Sequence, residues 1–149
     1  YIGMIHPELL KGSTFLEKVT NLKYKKAKLT DSYLESVISK VDDLMLKETV
    51  FLDADYNLNQ LAQTLNISRH HISQALSLIL NKSFNEYINT HRIDHAKTLL
   101  EELEEGLNIK TVMYESGFNN RVSFNNNFKK ITGLTASEYL KREYVKKNR

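Results

Sequence analysis

Residues 109–133 read IKTVMYESGFNNRVSFNNNFKKITG, and this stretch decides the fold. Ile109–Ser116 is short and amphipathic, with its apolar residues at helical spacing. Gly117-Phe118-Asn119-Asn120 supplies a turn. Arg121–Ile131 then reads as a second helix, with Val122, Phe124, Phe128 and Ile131 mostly inward and Gly133 as its stop. A short helix joined by a tight turn to a second helix at a steep angle is a helix-turn-helix, whose second helix can enter a major groove.

The same arrangement stands upstream. Asn57 caps a short helix over about Leu58–Leu65, with Leu58, Leu61, Ala62 and Leu65 inward. Asn66-Ile67-Ser68 is the turn. Ser68 caps Arg69–Leu80, whose inward positions are Ile72, Ala75, Leu76 and Ile79, and Asn81 ends it because Asn tolerates the left-handed conformation. Ser83-Phe84-Asn85-Glu86 is a capping box opening a long helix to about Glu104, with Tyr87, Ile88, Ile93, Ala96, Leu99, Leu100 and Leu103 apolar and Gly106 as terminator. That length spans about 31 Å, close to the roughly 34–36 Å of one DNA turn. After Gly133, the box Thr135-Ala136-Ser137-Glu138 starts a basic last helix to about Lys146.

Further out, Asp31–Lys47 carries one stripe of Leu34, Val37, Ile38, Val41, Leu44 and Met45, capped by Thr30 or Asp31. Two heptads favour docking on the main body over dimerisation. Residues 1–29, broken by Gly3, Pro7 and Gly12 and basic at Lys23, Lys25, Lys26 and Lys28, read as a tail or linker. The expected class is all-α: two helix-turn-helix subdomains joined by a long linker helix, with an extra N-terminal helix. The expected division is a linker at 1–30, helix and connection at 31–57, and the double helix-turn-helix at 58–149.

Composition agrees with this reading. Of 149 residues, 41% are hydrophobic and 26% charged, ordinary values for a globular protein. With no Cys, disulfides and thiolate metal sites are excluded. The net charge is only +3, but residues 108–149 hold nine Lys/Arg against three Asp/Glu. Asp94, Glu101, Glu102, Glu104 and Glu105 face only His95 and Lys97, a run that also suits a solvated face. No apolar run approaches the roughly 18–20 residues of a membrane span.

The outward positions of the two second helices carry the functional argument. In the first unit they are Arg69, His70, Ser73 and Gln74; in the second, Arg121, Ser123, Asn125, Asn126 and Lys129. Arg pairs with guanine, and Asn or Gln pairs bidentately with adenine. Neither helix contains Asp or Glu, which suits a face laid against phosphates.

Leu58–Tyr139 resembles the DNA-binding domain of the AraC family. The first half matches at Leu61-Ala62, Ile67-Ser68, Ile72, Leu76, Phe84, Tyr87, Arg92 and Ala96. The second half is closer, at Gly117-Phe118, Ser123-Phe124, Phe128-Lys129, Gly133, Thr135 and Ser137-Glu138-Tyr139. Departures stand at Asn81, Met113 and Ala136, where the family usually has Gly, Ala and Pro. The resemblance implies base reading by His70, Ser73 and Gln74, and by Arg121, Val122, Asn125 and Asn126. Val122 suits either a thymine methyl or the core. Phosphate contacts are implied for Ser68, Asn108, Asn120 and Lys129. Double-stranded DNA is the implied partner, with RNA polymerase a further candidate, in the cytoplasm.

Upstream, Tyr24-Lys25-Lys26-Ala27-Lys28-Leu29 and Asp53-Ala54-Asp55-Tyr56-Asn57-Leu58 resemble the juncture in membrane-embedded AraC-type regulators of Bacteroidetes. That resemblance implies a truncation at Tyr1 and a full-length protein anchored in the inner membrane, with dimerisation a further candidate property; a soluble sensor fits the same start. The basic segment fits the positive-inside rule.

No enzyme is expected. His91 and His95 have metal-capable spacing, but Arg92, Ile93 and Asp94 lie between them and not the general-base Glu of a zinc protease, so they read as surface histidines. No nucleophile elbow or phosphate loop is present, and no catalytic residue, metal or cofactor is expected. The alternative is a helical protein-interaction adaptor derived from a DNA-binding fold. Steep loss of binding to mixed-sequence DNA with salt separates the two.

Overall fold

The computed structural model describes residues 31–102 and 108–148, and no strand occurs among the described residues. Helix α1 covers residues 31–48. A 3-10 turn at Val50–Leu52 leads into α2 (Leu58–Leu65), α3 (Arg69–Leu80), α4 (Phe84–Glu102), α5 (Ile109–Glu115), α6 (Arg121–Thr132) and α7 (Ala136–Lys147). Leu103, Glu104 and Gly106, read above as the end and stop of the long helix, lie outside the described residues, as do the tail and Thr30. None of the described helices is long and apolar enough to cross a membrane.

Local chemistry sets the boundaries. Asn57 Oδ1 accepts from the N–H groups of Asn59 and Gln60, and Gln60 Oε1 accepts from Asn57 N–H at 2.9 Å, a full capping box. Asn66 and Asn81 end α2 and α3 with φ of 51° each, conformations that Asn reaches more readily than most residues. Lys82 N–H then reaches back to Leu76 C=O at 3.2 Å, which satisfies a terminal carbonyl of α3. Gly133 closes α6 at φ 77°.

The core forms two clusters along α4. In the first, α1 contributes Leu34, Val37, Ile38, Val41, Leu44 and Met45, which bury against Leu61, Ile72, Ala75, Leu76, Tyr87 and Ile88. The α1 stripe therefore docks within its own chain. Tyr33 Oη meets His71 Nδ1 at 3.0 Å, and the Tyr87 hydroxyl donates to Asp42, so polar bonds fix α1 at both ends of the stripe. In the second cluster Ile93, Ala96 and Leu100 of α4 meet Val112, Met113, Phe118, Phe124, Phe128, Ala136 and Tyr139. Met113, a departure from the resembled pattern, is accommodated at 4% exposure.

Arg92 joins the halves. It is 8% exposed; its Nε donates to Phe51 C=O at 2.7 Å and Nη2 to Asp53 C=O at 2.8 Å. Its guanidinium carbon lies 5.6 Å from the centre of the Phe118 ring. Gly117 sits at φ 86° against the same point, where a Cβ would lie 2.3 Å from Phe51 O. Close backbone approach and positive φ both require glycine there. The connection between α1 and α2 is thus held between α4 and the turn of the second unit.

Several sequence expectations change. His91 and His95 are half-buried, not surface groups. Phe51 stacks on His91 at 5.7 Å and meets His95 edge-on at 6.0 Å, because the α1–α2 connection crosses that face of α4. Burial pushes the His91 imidazole below its usual range. Ile79 and Ile131, expected inward, are 39% and 38% exposed, each one residue from its helix end.

Glu86 gives a pH prediction. Its carboxylate accepts from Ser83 N–H at 3.1 Å and from Lys130 Nζ at 2.9 Å, and the Ser83 backbone bond and then Lys130 lower its pKa to about 2. Because the folded value lies below the usual 4.5, the contribution is complete above that value and is lost as pH falls toward about 2. The melting temperature of the wild type should exceed that of Glu86→Gln near neutrality and converge on it across this window. A gap that stays constant down to the lower limit would contradict this.

Candidate nucleic-acid interface

Both second helices start at an Arg and both run 12 residues. Arg69, His70, Ser73, Gln74 and Ser77 therefore occupy the places of Arg121, Val122, Asn125, Asn126 and Lys129. An α-helix turns about 100° per residue, so each set spans about 140° of its helix. On the opposite side lie the buried Ile72, Ala75 and Leu76 of α3, and Phe124 and Phe128 of α6.

All of these outward residues are exposed except Gln74, which is half-buried. Ser123 is half-buried too, and Asn127 turns its amide onto Ser123 C=O at 2.9 Å. Val122, left open between core and surface, is 67% exposed. No partner among the described residues holds the side-chain amides of Asn125 or Asn126. Edge-on and tilted ring contacts of Phe124 pack the other side of α6, with Phe118–Phe124 and Phe124–Phe128 centroids 5.4 and 5.6 Å apart.

The three polar residues expected near phosphates are helix caps. Ser68 Oγ accepts from His71 N–H at 3.2 Å, Asn108 Oδ1 from Lys110 N–H at 3.0 Å, and Asn120 Oδ1 from Ser123 N–H at 3.0 Å. Each satisfies one of the orphan donors of its helix; other first-turn N–H groups remain for an anion. Lys129, the fourth, is exposed in the last turn of α6.

Each unit forms a groove of matching construction. Around α3, the start of α2 (Asn57–Asn59) and the start of α4 (Ser83–Glu86) flank Arg69, Ser73 and Ser77. Around α6, Asn108–Lys110 and Thr135–Ser137 flank Arg121, Asn125, Asn126 and Lys129. Two helix starts thus border each outward face, and their N–H groups favour negative charge there. Ser77, Lys110 and Ser137 join the grooves although the sequence reading passed over them. Ser77 was findable, since it repeats the place of Lys129. Lys110 was findable from its place two residues after Asn108, a phosphate candidate.

The grooves differ in charge. The second holds Arg121, Lys110 and Lys129 with no acid, and the first holds Arg69 and Lys82 with Glu86. Lys130 reaches across from α6 to neutralise Glu86. Among the described residues no group of three or more His, Asp or Glu side chains is placed to hold a metal.

Residues 61–142 match a family model described as a helix-turn-helix domain. A transcriptional regulator of the helix-turn-helix type from Staphylococcus aureus, itself uncharacterised, is 33% identical over 85 residues, 57% of this chain and 11% of that protein. The uncharacterised regulator YijO of Escherichia coli is 37% identical over 83 residues, 56% of this chain and 28% of YijO. The chain thus covers about a tenth to a quarter of the length of these relatives. The solved DNA-binding domain of AdpA, a global transcriptional factor in complex with a target DNA, superposes with a TM-score of 0.63 at 17% identity, over 78% of this chain and 96% of that one. At that identity the likeness concerns the fold.

Proposed function

The chain belongs to the AraC-type helix-turn-helix family, and from that premise we propose that it is a sequence-specific DNA-binding module of a transcription regulator, with α3 and α6 entering adjacent major grooves. The observation that carries this is the pair of matching grooves, each presenting an acid-free helix face between two helix starts. Affinity comes from phosphates at Ser68, Asn108, Asn120 and Lys129 and at the helix starts. Sequence is read by Arg69, His70, Ser73 and Gln74 in one groove and by Arg121, Val122, Asn125 and Asn126 in the other. Residues 58–149 form the reading domain, and 31–57 brace it through α1 and Arg92.

Selection of bound sequences from a random duplex library, followed by titration at rising salt, tests the proposal. The expected result is an enriched motif whose affinity falls steeply with salt. Salt-insensitive or absent DNA binding would leave the adaptor reading in its place.

Amide readout makes a finer prediction. Gln74→Ala and Asn126→Ala should each cost about 1–3 kcal/mol on the selected duplex and leave random-duplex affinity nearly unchanged. Equal losses on both duplexes would show that the amides read no base.

A further inference from the structure

The two outward faces differ most in chemistry at the second residue of each helix. On α6 the buried rings of Phe124 and Phe128 define the inward direction. Counting about 100° per residue, Asn126 lies at the opposite pole and Val122 about 40° to one side of it, with Lys129 beside Val122. Val122 is 67% exposed there, the one hydrocarbon on a polar face. A solitary exposed apolar residue is ordinary on a surface. This one occupies the strip that a groove-bound helix turns to the base edges, in the helix's first turn, where a β-branched residue brings no gain in helix propensity. Its equivalent on α3 is His70, an exposed imidazole that offers hydrogen bonds.

Resting on the DNA-reading proposal above, we infer that Val122 packs on the 5-methyl group of a thymine, so that the half-site under α6 prefers an A·T pair at that place. In the major groove the thymine methyl is the only hydrocarbon that a base edge presents. Valine can accept nothing and donate nothing, so it discriminates by contact with that methyl and by leaving polar base edges unpaired. Asn126, one turn further on and free of internal partners among the described residues, faces the same strip and suits the N6/N7 edge of adenine. His70 in the other half-site faces a base through its ring nitrogens and is insensitive to a methyl. The two half-sites therefore differ in base chemistry at equivalent places.

Deoxyuridine, which lacks only the methyl, tests this on the selected duplex. The half-site under α6 is first identified as the one whose preferences relax in Asn126→Ala. Each thymine in it is then replaced singly by deoxyuridine. Wild-type affinity should fall about fourfold at one position, the effect of one methyl-sized group returned to water. Val122→Ala should bind the thymine duplex less tightly and show no response to that replacement, whereas His70→Ala should keep the response. Val122 is exposed, so the variant folds, and circular dichroism checks this. Deoxyuridine without effect at every position, or a response retained in Val122→Ala, overturns the inference while the DNA reading stands. A selection that enriches no motif overturns both.

Discussion

Arg92→Ala is expected to lower the unfolding free energy by about 3–5 kcal/mol, a large share of the roughly 5–15 kcal/mol of an ordinary domain. The guanidinium is nearly buried and donates to the carbonyls of Phe51 and Asp53 at 2.7 and 2.8 Å. Without it the buried Phe51 carbonyl loses its donor, at roughly 1–3 kcal/mol, the part-buried Asp53 carbonyl loses a second bond at a smaller cost, and the aliphatic stem leaves a void between α4 and the second unit. Burial pushes the pKa of the group down, yet an arginine stays charged at neutral pH. Arg92→Lys should not restore the loss, because an ammonium cannot fork between two fixed carbonyls as a guanidinium does. Urea titration of both variants provides the measurement. A loss below about 1 kcal/mol for Arg92→Ala would show that solvent or another donor replaces the guanidinium.

The consequence extends beyond stability. Phe51 C=O is held by Arg92 and lies against Gly117, so one residue anchors the α1–α2 connection and borders the turn before α6. Loosening it frees the two units to move relative to one another. DNA affinity should then fall in Arg92→Ala even at temperatures where the protein remains folded.

Much of this architecture is legible from local chemistry. Asn57, Ser68 and Thr135 cap helices where capping residues are expected, because a cap depends on neighbours within three residues; Asn108 and Asn120, read only as phosphate contacts, cap α5 and α6 as well. Asn81 and Gly133 end helices for the same local reason. What escaped is long-range. Arg92 matches a family pattern in the sequence, but its partners lie about 40 residues away on backbone carbonyls, which leave no trace in side-chain patterning. His91 and His95 look solvent-facing by helical periodicity until the connection carrying Phe51 covers them. Val122 is ambiguous in sequence because an apolar residue early in a helix fits either side; only the packing of Phe124 and Phe128 decides which. The Lys130–Glu86 pair between the two units is equally silent in sequence.

The spacing of the two units on α4 governs the mode of DNA binding. Helix α4 runs 19 residues as described, about 28 Å, against roughly 34–36 Å for one turn of DNA. The first unit packs near Tyr87 and Ile88 and the second near Ile93, Ala96 and Leu100, with Glu86–Lys130 as a further tie. Both outward faces are therefore carried on one helix whose described length is comparable to one DNA turn. A reach a few Å short of one turn would favour modest bending of the duplex toward the protein, at a cost of order 1–6 kcal/mol. One chain is expected to read two unlike half-sites about one turn apart. Inserting five base pairs between the half-sites of the selected duplex tests it most directly, since this turns one half-site to the opposite face. Affinity should fall by about a hundredfold or more, to the level of a duplex carrying one half-site alone. An insertion that leaves affinity unchanged, or a single half-site bound as tightly as the pair, would contradict it.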